Sequence, residues 1–308
     1  GGNRKLGNNY ALSLSATDQD GIIKNSNYQR YGGRFSFEQK LGRNVVLDVL
    51  ANYSHSVKSG PTPTDAKDSS KSSGWLMYSI WAYRPVVPIR SSGELDLENE
   101  LYDEAISQAY GAMFNPVMTV NNEHRKRIKD IVSVNGSLSW TIIEGLKLKI
   151  LGGYDLQRTK IEKFNGSQTY SGNPMATSGK GVNGSIVWQD RSSWLNENTL
   201  TWSRKIRRNH SLNLLAGFTL QGEDFKSHGV SATQITAESL GLAGLHTGNY
   251  QVVTPDYFDT FLMSGLFRLN YNYKSKYYLT ATARADGSSN FAANRKWGFF
   301  PSAALKWN

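Results

Sequence analysis

Cysteine is absent from the chain, which removes any disulfide framework and any thiolate metal site. No apolar run approaches the roughly 18 residues that a membrane-crossing helix needs. Hydrophobic residues make up only 39% of the sequence, and mean hydropathy is −0.48. What the chain does have is rings and glycine: 16 Tyr, 12 Phe, 8 Trp and 29 Gly. That balance excludes a helical bundle and ordinary disorder and leaves a β-rich protein. At 308 residues the chain is long enough for one large domain or two ordinary ones. Lys and Arg number 35 against 25 acidic residues, for a net charge of +10. The first residues, Gly1-Gly2-Asn3-Arg4, lack the basic–apolar–small pattern of a signal peptide. The last, Trp307-Asn308, fall inside a strand pattern. Both ends read as cut, so an internal piece of a longer polypeptide is expected.

Period-2 alternation is the main signal. It is clean in 211–220, where Leu212, Leu214, Ala216, Phe218 and Leu220 share one phase. It recurs in 277–285, in 131–140 (Val132, Val134, Leu138, Trp140) and in 10–16 (Tyr10, Leu12, Leu14). Segments 30–40, 45–56, 146–155, 259–272 and 297–307 repeat it less cleanly. In 192–203, Asn196 and Asn198 fall in phase with Trp194, Leu200 and Trp202. About ten strands follow, each near the length a tilted strand needs to cross a bilayer. Short turns at Leu41–Asn44, Ile143–Gly145, Arg204–Asn209 and Tyr273–Lys276 alternate with long connections at 18–29, 58–123, 157–185, 223–256 and 286–296. That rhythm is the pattern of an antiparallel up-and-down transmembrane β-barrel, with tight periplasmic turns and long outer loops. Trp140, Trp202, Tyr271, Tyr273, Tyr277 and Tyr278 lie beside the short turns, where an aromatic girdle belongs. A soluble all-β domain would alternate too, so a secreted or surface lectin-like protein is the competing class.

The longest connection, 58–123, holds an apolar piece from Trp75 to Tyr83, which Pro85 should end, and a weakly helical rhythm over Leu101–Met113. A loop of that size is expected to fold over the barrel mouth. Its aromatics Trp75, Trp81 and Tyr83, with Tyr170 and Trp188 farther along the chain, read as loop aromatics that either stack on a ligand or pack within the loops.

Catalytic chemistry finds no constellation. The five histidines, His55, His124, His210, His228 and His246, have no i, i+4 pair. Gly179 to Gly184 matches GxGxxG by letters, but a strand rather than a helix follows it. Asp18-Gln19-Asp20-Gly21 lacks the remaining ligands of a calcium loop and reads as a hairpin turn. An enzyme, a metal site and a cofactor are therefore not expected. Two basic clusters, His124–Lys129 and Arg204–Arg208, lack any nucleic-acid-binding signature. The first is placed where a long loop re-enters the membrane, where it would neutralise lipopolysaccharide phosphates. Nucleic acid is not expected as a partner.

The C-terminal stretch is the most specific. It reads FRLNYNYKSKYYLTAT over Phe267–Thr282, then ARADGSSNF over Ala283–Phe291, and then WGFFPSAA over Trp297–Ala304. This resembles the barrel signature of the SusC/RagA family of TonB-dependent outer-membrane transporters of Bacteroidetes, R-x-N-Y-x-Y-x-x-K-Y-L-L-T-A-x-x-R-x-D-G-S-S-x-F followed by W-G-x-F-P-S. The matching residues are Arg268, Asn270, Tyr271, Tyr273, Lys276, Tyr277, Arg284, Asp286, Gly287, Ser288, Ser289 and Phe291, then Trp297, Gly298, Phe300 and Pro301. Tyr278 replaces the usual Leu, and Ala285 stands where a basic residue is common. Asp18–Ile23 with Tyr28 and Arg30-Tyr31 resembles the family's D-Q-x-G-I hairpin, and Trp194–Leu200 its W-x-x-E-N-x-L strand. The signature residues read as architectural: Asp286-Gly287-Ser288-Ser289 suits a turn, and Pro301 suits a strand irregularity.

The resemblance implies that residues 1–308 are one partial barrel domain of about ten strands in a wall of about 22, without plug or signal peptide. It implies import of glycans or peptides at the cell outer membrane of a Gram-negative bacterium. The partners implied are a SusD-like surface lipoprotein as lid, the TonB complex acting through other parts of the protein, and outer-membrane lipid with lipopolysaccharide. The ligand would be an oligosaccharide or peptide, left covalently unchanged.

Overall fold

A computed structural model describes residues 1–3, 7–61, 76–83, 115–174 and 180–308. The described strands form one antiparallel sheet of eleven, each hydrogen-bonded to its sequence neighbours. They are β1 (Gly2–Asn3), β2 (Asn8–Asp20), β3 (Asn27–Leu41), β4 (Val45–Ser59), β5 (Glu123–Ile143) and β6 (Leu146–Asn165). Then follow β7 (Asn183–Lys205), β8 (His210–Thr233), β9 (Asn249–Tyr273), β10 (Tyr277–Ser288) and β11 (Trp297–Trp307). The ten expected strands are β2 to β11. Among the described residues two short helices, α1 (Leu76–Ala82) and α2 (Pro116–Asn122), stand between β4 and β5, and a 3₁₀ segment (Glu238–Thr247) between β8 and β9. No helix among the described residues is long and apolar enough to cross a membrane.

The strands outrun the alternation that announces them. β5 covers 21 residues and β9 covers 25. The connections shrink in step: the β2–β3 turn occupies only 21–26, and β10 continues to Ser288. At their outer ends the strands carry polar residues on both faces, so the ladder continues where the hydropathy signal stops. The expected turn at Asp286–Ser289 is corrected accordingly. Asp286 pairs with Gly298 and Gly287 with Trp297, inside the β10–β11 ladder. The hairpin at Asp18–Gly21 moves outward for the same reason. Asp18 and Asp20 lie in β2 and each accepts a hydrogen bond from the Asn27 side chain, at 2.8 and 2.9 Å. Pro301 pairs with Ala283 in unbroken register, so no irregularity accommodates it. The ladder runs straight through it, with Thr282 paired to Ser302 and Arg284 to Phe300 on either side.

The short turns form as the sequence dictates. Lys274 and Ser275 both take φ of +53°, the two-residue arrangement whose twist matches that of the flanking strands. Gly42 and Gly145 supply positive φ at two of the other turns.

Register sorts the side chains into two faces. On one, Leu12 and Leu14 run into Phe35, Val49, Val134, Tyr154, Trp194, Phe267 and Leu305. No second layer covers this face among the described residues: even on interior strands Val134 is 44% exposed, Phe218 44% and Phe267 48%. An apolar sheet left this open marks an interaction surface, here wide enough for a lipid phase. From Trp140 to Val132 the strand rises about 27 Å, close to an outer-membrane apolar band of roughly 25 Å once tilted. Trp140, Trp202, Tyr271, Tyr273, Tyr277 and Trp307 line its short-turn border, while Tyr278 points to the other face, beside Asn272 and Lys306. Asn196 and Asn198 stand within the apolar face. There Asn198 donates to the Asn196 side chain at 2.6 Å and Asn196 to the Leu151 carbonyl at 3.2 Å.

Among the described residues, conventional core lies at the long-loop end, where Phe164, Val182, Ala232, Ile235 and Leu245 bury one another. The α1–α2 pair adds buried Leu76, Met118 and Val120. It is tied down by Asn25, whose side chain donates to the Val120 carbonyl at 3.1 Å.

Candidate functional site

The polar face is the candidate surface for a passing ligand. Ser13, Ser15, Arg34, Asn52, Ser133, Asp155, Ser193, Glu223 and Thr260 occupy it by register. A hollow on it is lined by Asn135, Asp155, Gln221, Glu223 and Asn290, among others. Near the short-turn end a hydrogen-bonded chain crosses four strands. Thr280 donates to Asn270 at 2.9 Å, Asn270 to Asn213 at 3.3 Å, and Asn213 to Ser203 at 2.7 Å. Nearby, Arg268 Nε reaches Thr282 Oγ1 at 3.4 Å. Higher on β10, Arg284 grips Asp286 with contacts of 2.7 and 2.9 Å. Signature residues Arg268, Asn270, Arg284 and Asp286 thus tie side chains together across or along the strands of this face.

On the apolar face, Tyr271 and Tyr273 both pack against His210, with 2.6 Å between His210 Nδ1 and the Tyr271 hydroxyl oxygen. Lys276 Nζ sits over both Tyr277 and Trp307 at 5.7 Å. Ser289 docks on Phe261, whose N–H donates to its hydroxyl at 2.9 Å. Ser288 takes the Lys296 carbonyl through its N–H at 3.0 Å, and Phe291 stays 60% exposed in the β10–β11 connection. Gly298 gives the Phe300 ring room that a Cβ would fill.

Above the aromatic side chains Tyr154, Trp194 and Phe261, the apolar face turns ionic. Tyr31, His55, Asp130, Arg158, Asp190, Lys226 and Tyr257 lie along one register line across seven strands. Opposite charges face each other, which favours this pairing. His55 and Asp130 are 2.8 Å apart, and Arg158 and Asp190 3.8 Å. One step further out, partial burial would raise the Glu162 carboxyl, but hydrogen bonds from Lys160 and His124 outweigh it and hold it below its ordinary value. At the start of β5, burial pushes the Glu123 carboxyl up against the pull of Arg125.

The basic cluster His124–Lys129 does not act as one patch. It lies in β5, so His124 and Lys126 follow the apolar face while Arg125, Arg127 and Lys129 follow the polar one. The stacking candidates do not converge either. Trp81 is 76% exposed on α1, Tyr83 follows that helix, and Tyr170 lies in the β6–β7 connection. Trp188 is not in a loop: it belongs to β7, on the apolar face, stacked on His228 with ring centroids 5.7 Å apart. Trp75 and the Leu101–Met113 rhythm lie outside the described residues. Among the described residues no three His, Asp or Glu side chains are grouped to hold a metal ion. The ionic line and the split basic cluster escape a sequence reading because both depend on strand pairing; the alternation of cations at 125, 127 and 129 was the available signal.

No family model matches the chain. TonB-dependent receptor P3 of Formosa agariphila is 27% identical over 300 residues, which is 97% of this chain and 28% of that protein. TonB-dependent receptor SusC of Bacteroides thetaiotaomicron is 23% identical over 327 residues, 97% of this chain and 29% of that protein. Among solved structures, the RagAB peptide transporter superimposes with a TM-score of 0.73 at 21% identity, covering 96% of this chain and 32% of that one. The chain therefore spans under a third of the length of these relatives. Similarity that runs along nearly the whole chain makes it a homologue of TonB-dependent receptors, SusC among them, and the superposition gives it the fold of part of such a receptor's barrel.

Proposed function

We propose that this chain forms part of the wall of an outer-membrane importer that takes up glycans or peptides. The observation that carries it is the two-faced sheet. One face is apolar through its middle, uncovered and bordered by aromatic residues, and the other is mainly polar, with Leu50, Leu151 and Leu195 among its hydroxyls, amides and charges. A lectin-like soluble domain would cover the apolar face with a second sheet, and none stands there among the described residues. The importer has no chemistry to perform on its ligand: the polar face offers a wet path, and energy comes from TonB acting on parts of the protein beyond this wall. A SusD-like surface lipoprotein meets the long-loop end, where α1, α2 and the 3₁₀ segment build a packed platform. Trp81, Tyr83 and Tyr170 at that end are retained as surfaces for a ligand ring. On the apolar side, Lys126, Arg158, Lys160 and Lys226 stand at headgroup level, where they meet lipopolysaccharide phosphates.

The test is made in the intact receptor that contains this wall. It should fold in detergent micelles, sediment as a monodisperse species only while detergent is present, and restore uptake of a labelled oligosaccharide or peptide to a strain lacking it. Stable monomeric behaviour in plain buffer would refute the reading.

A further inference from the structure

The polar face carries a patch of one charge sign. Arg34 and Arg30 on β3, Lys58 on β4, and Arg127 and Lys129 on β5 share this face by register: Arg30 and Lys129 both pair with Ser56, and Lys58 pairs with Arg127. From the level of Arg34 to that of Arg127 the patch rises about 20 Å, and across its three strands it measures about 10 Å. Among the described residues none of the five lies within ion-pair distance of a carboxylate. The nearest acids on the same face are committed or displaced. Glu123 is held by Arg125 at 3.3 Å, Asp155 pairs with Ser133, four positions down the strand from Lys129, and Glu38 and Asp48 pair with each other four positions below the level of Arg34, where Asp48 accepts from the Ser137 hydroxyl at 3.1 Å. Elsewhere on the polar face two arginines are matched, Arg284 by Asp286 and Arg191 by Glu223 at 3.3 Å, while Arg268 stands singly and meets the Thr282 hydroxyl. Five cations held together without counter-ions repel one another, an arrangement that an incoming anion relieves.

Between the cations the surface is hydroxyl and amide. Ser15, Asn52, Ser54 and Ser133 interleave with them, and Arg30 Nε donates to Ser54 Oγ at 3.0 Å, which bends that guanidinium along the sheet. Gly32, between Arg30 and Arg34 on β3, places no side chain there, and the Ser15 hydroxyl stands closest to it.

We propose that this patch recognises an acidic glycan, one bearing carboxylate or sulfate groups at intervals along its chain. The cations take the acid groups through charge-assisted hydrogen bonds, and the Ser and Asn side chains take sugar hydroxyls. A peptide fits less well. Its backbone ladder finds no strand edge on a sheet face, and its own amino group finds no acid in the patch. This names a ligand class for the importer proposed above and rests on that proposal.

The test uses the intact receptor in detergent, titrated with an oligogalacturonate, a sulfated galactan oligosaccharide, a neutral glucan oligosaccharide and an acidic peptide. Variants are Arg30→Gln with Arg127→Gln, and Arg191→Gln as a control outside the patch. Heat-modifiable migration in gels confirms that each barrel is folded. Binding of at least one acidic oligosaccharide that weakens with added salt, falls about tenfold or more in the double variant and is unmoved by the control supports the patch. Tight binding of the neutral glucan or of the peptide, insensitive to the double variant, overturns the acidic-glycan assignment while leaving the importer standing. Absence of binding to all four, with uptake in cells still intact, also overturns it. Loss of detergent dependence or of all uptake by the unaltered receptor instead brings down the importer itself.

Discussion

The indole of Trp297 on β11 fills the space where a side chain at Gly287 on β10 would stand: a Cβ placed there meets three ring atoms at 3.0 Å. The two residues pair in the ladder, and Gly287 has no positive φ to explain its choice. Its smallness serves contact. An aromatic closing over a strand glycine is a recurrent device for fixing register. Gly287→Ala should therefore push the indole aside and destabilise the barrel by about 1–3 kcal/mol, as overpacking does. Thermal unfolding followed by gel migration checks this. Because the cost is steric, Trp297→Ala combined with Gly287→Ala should cost less than the sum of the two single changes.

How much of this was legible in the sequence follows from where water is excluded. Wherever one strand face meets lipid, apolar residues alternate with polar ones; Leu12, Leu14 and Val132, Val134 announced their strands for that reason. Above the belt both faces are wet, so Asp18 and Asp20 looked like a turn although they lie in β2, and Trp188 looked like a loop residue although it lies in β7. Asp286-Gly287 carried turn chemistry in its letters, but the ring of Trp297 uses the glycine instead. The charged line from His55 to Lys226 and the cationic patch around Arg30 are each assembled by pairing strands; of the patch, the sequence shows only the alternation of Arg127 and Lys129.

Asn196 and Asn198 give a sharper test of the outward face. Their amides are satisfied by each other and by the Leu151 carbonyl. Replacing Asn196 alone by Leu removes the oxygen that Asn198 donates to and strands a polar amide facing the apolar phase. That should cost about 1–3 kcal/mol. Replacing both by Leu removes the stranded group as well and should come out near neutral or stabilising. A double-mutant cycle on unfolding midpoints in detergent reads the difference. Equal, additive losses would mean that this face does not meet an apolar medium.

The packed platform at the long-loop end is separable from the wall. Leu245 is 6% exposed and packs with Phe164, Val182, Ala232 and Ile235. Leu245→Ala should cost about 2–4 kcal/mol of local stability. The wall, whose apolar residues face outward, should keep its heat-modifiable migration. Hydrogen exchange should rise over the 3₁₀ segment and the adjoining ends of β7 and β8, with protection near Trp140 and Trp202 unchanged.

The ionic cluster above the aromatic side chains should respond to acid with a definite sign. Lys160 Nζ lies 2.7 Å and His124 Nε2 3.1 Å from the Glu162 carboxylate. Although burial works the other way, these hydrogen bonds set its folded value below the ordinary one. The unfolded chain therefore binds the proton more readily than the folded one, so Glu162 contributes stability above the ordinary carboxylate range. That contribution should fade as pH falls through the lowered folded value. In Glu162→Gln the contacts from Lys160 along β6 and from His124 across on β5 lose the carboxylate charge, and the difference in unfolding midpoint between parent and variant should be largest near neutrality and vanish in strong acid. His124→Gln should remove only part of that difference, because Lys160 still holds the carboxylate. A parent–variant gap that widens on acidification would reverse the assigned sign and require another group to hold the outer ends of β5 and β6 together.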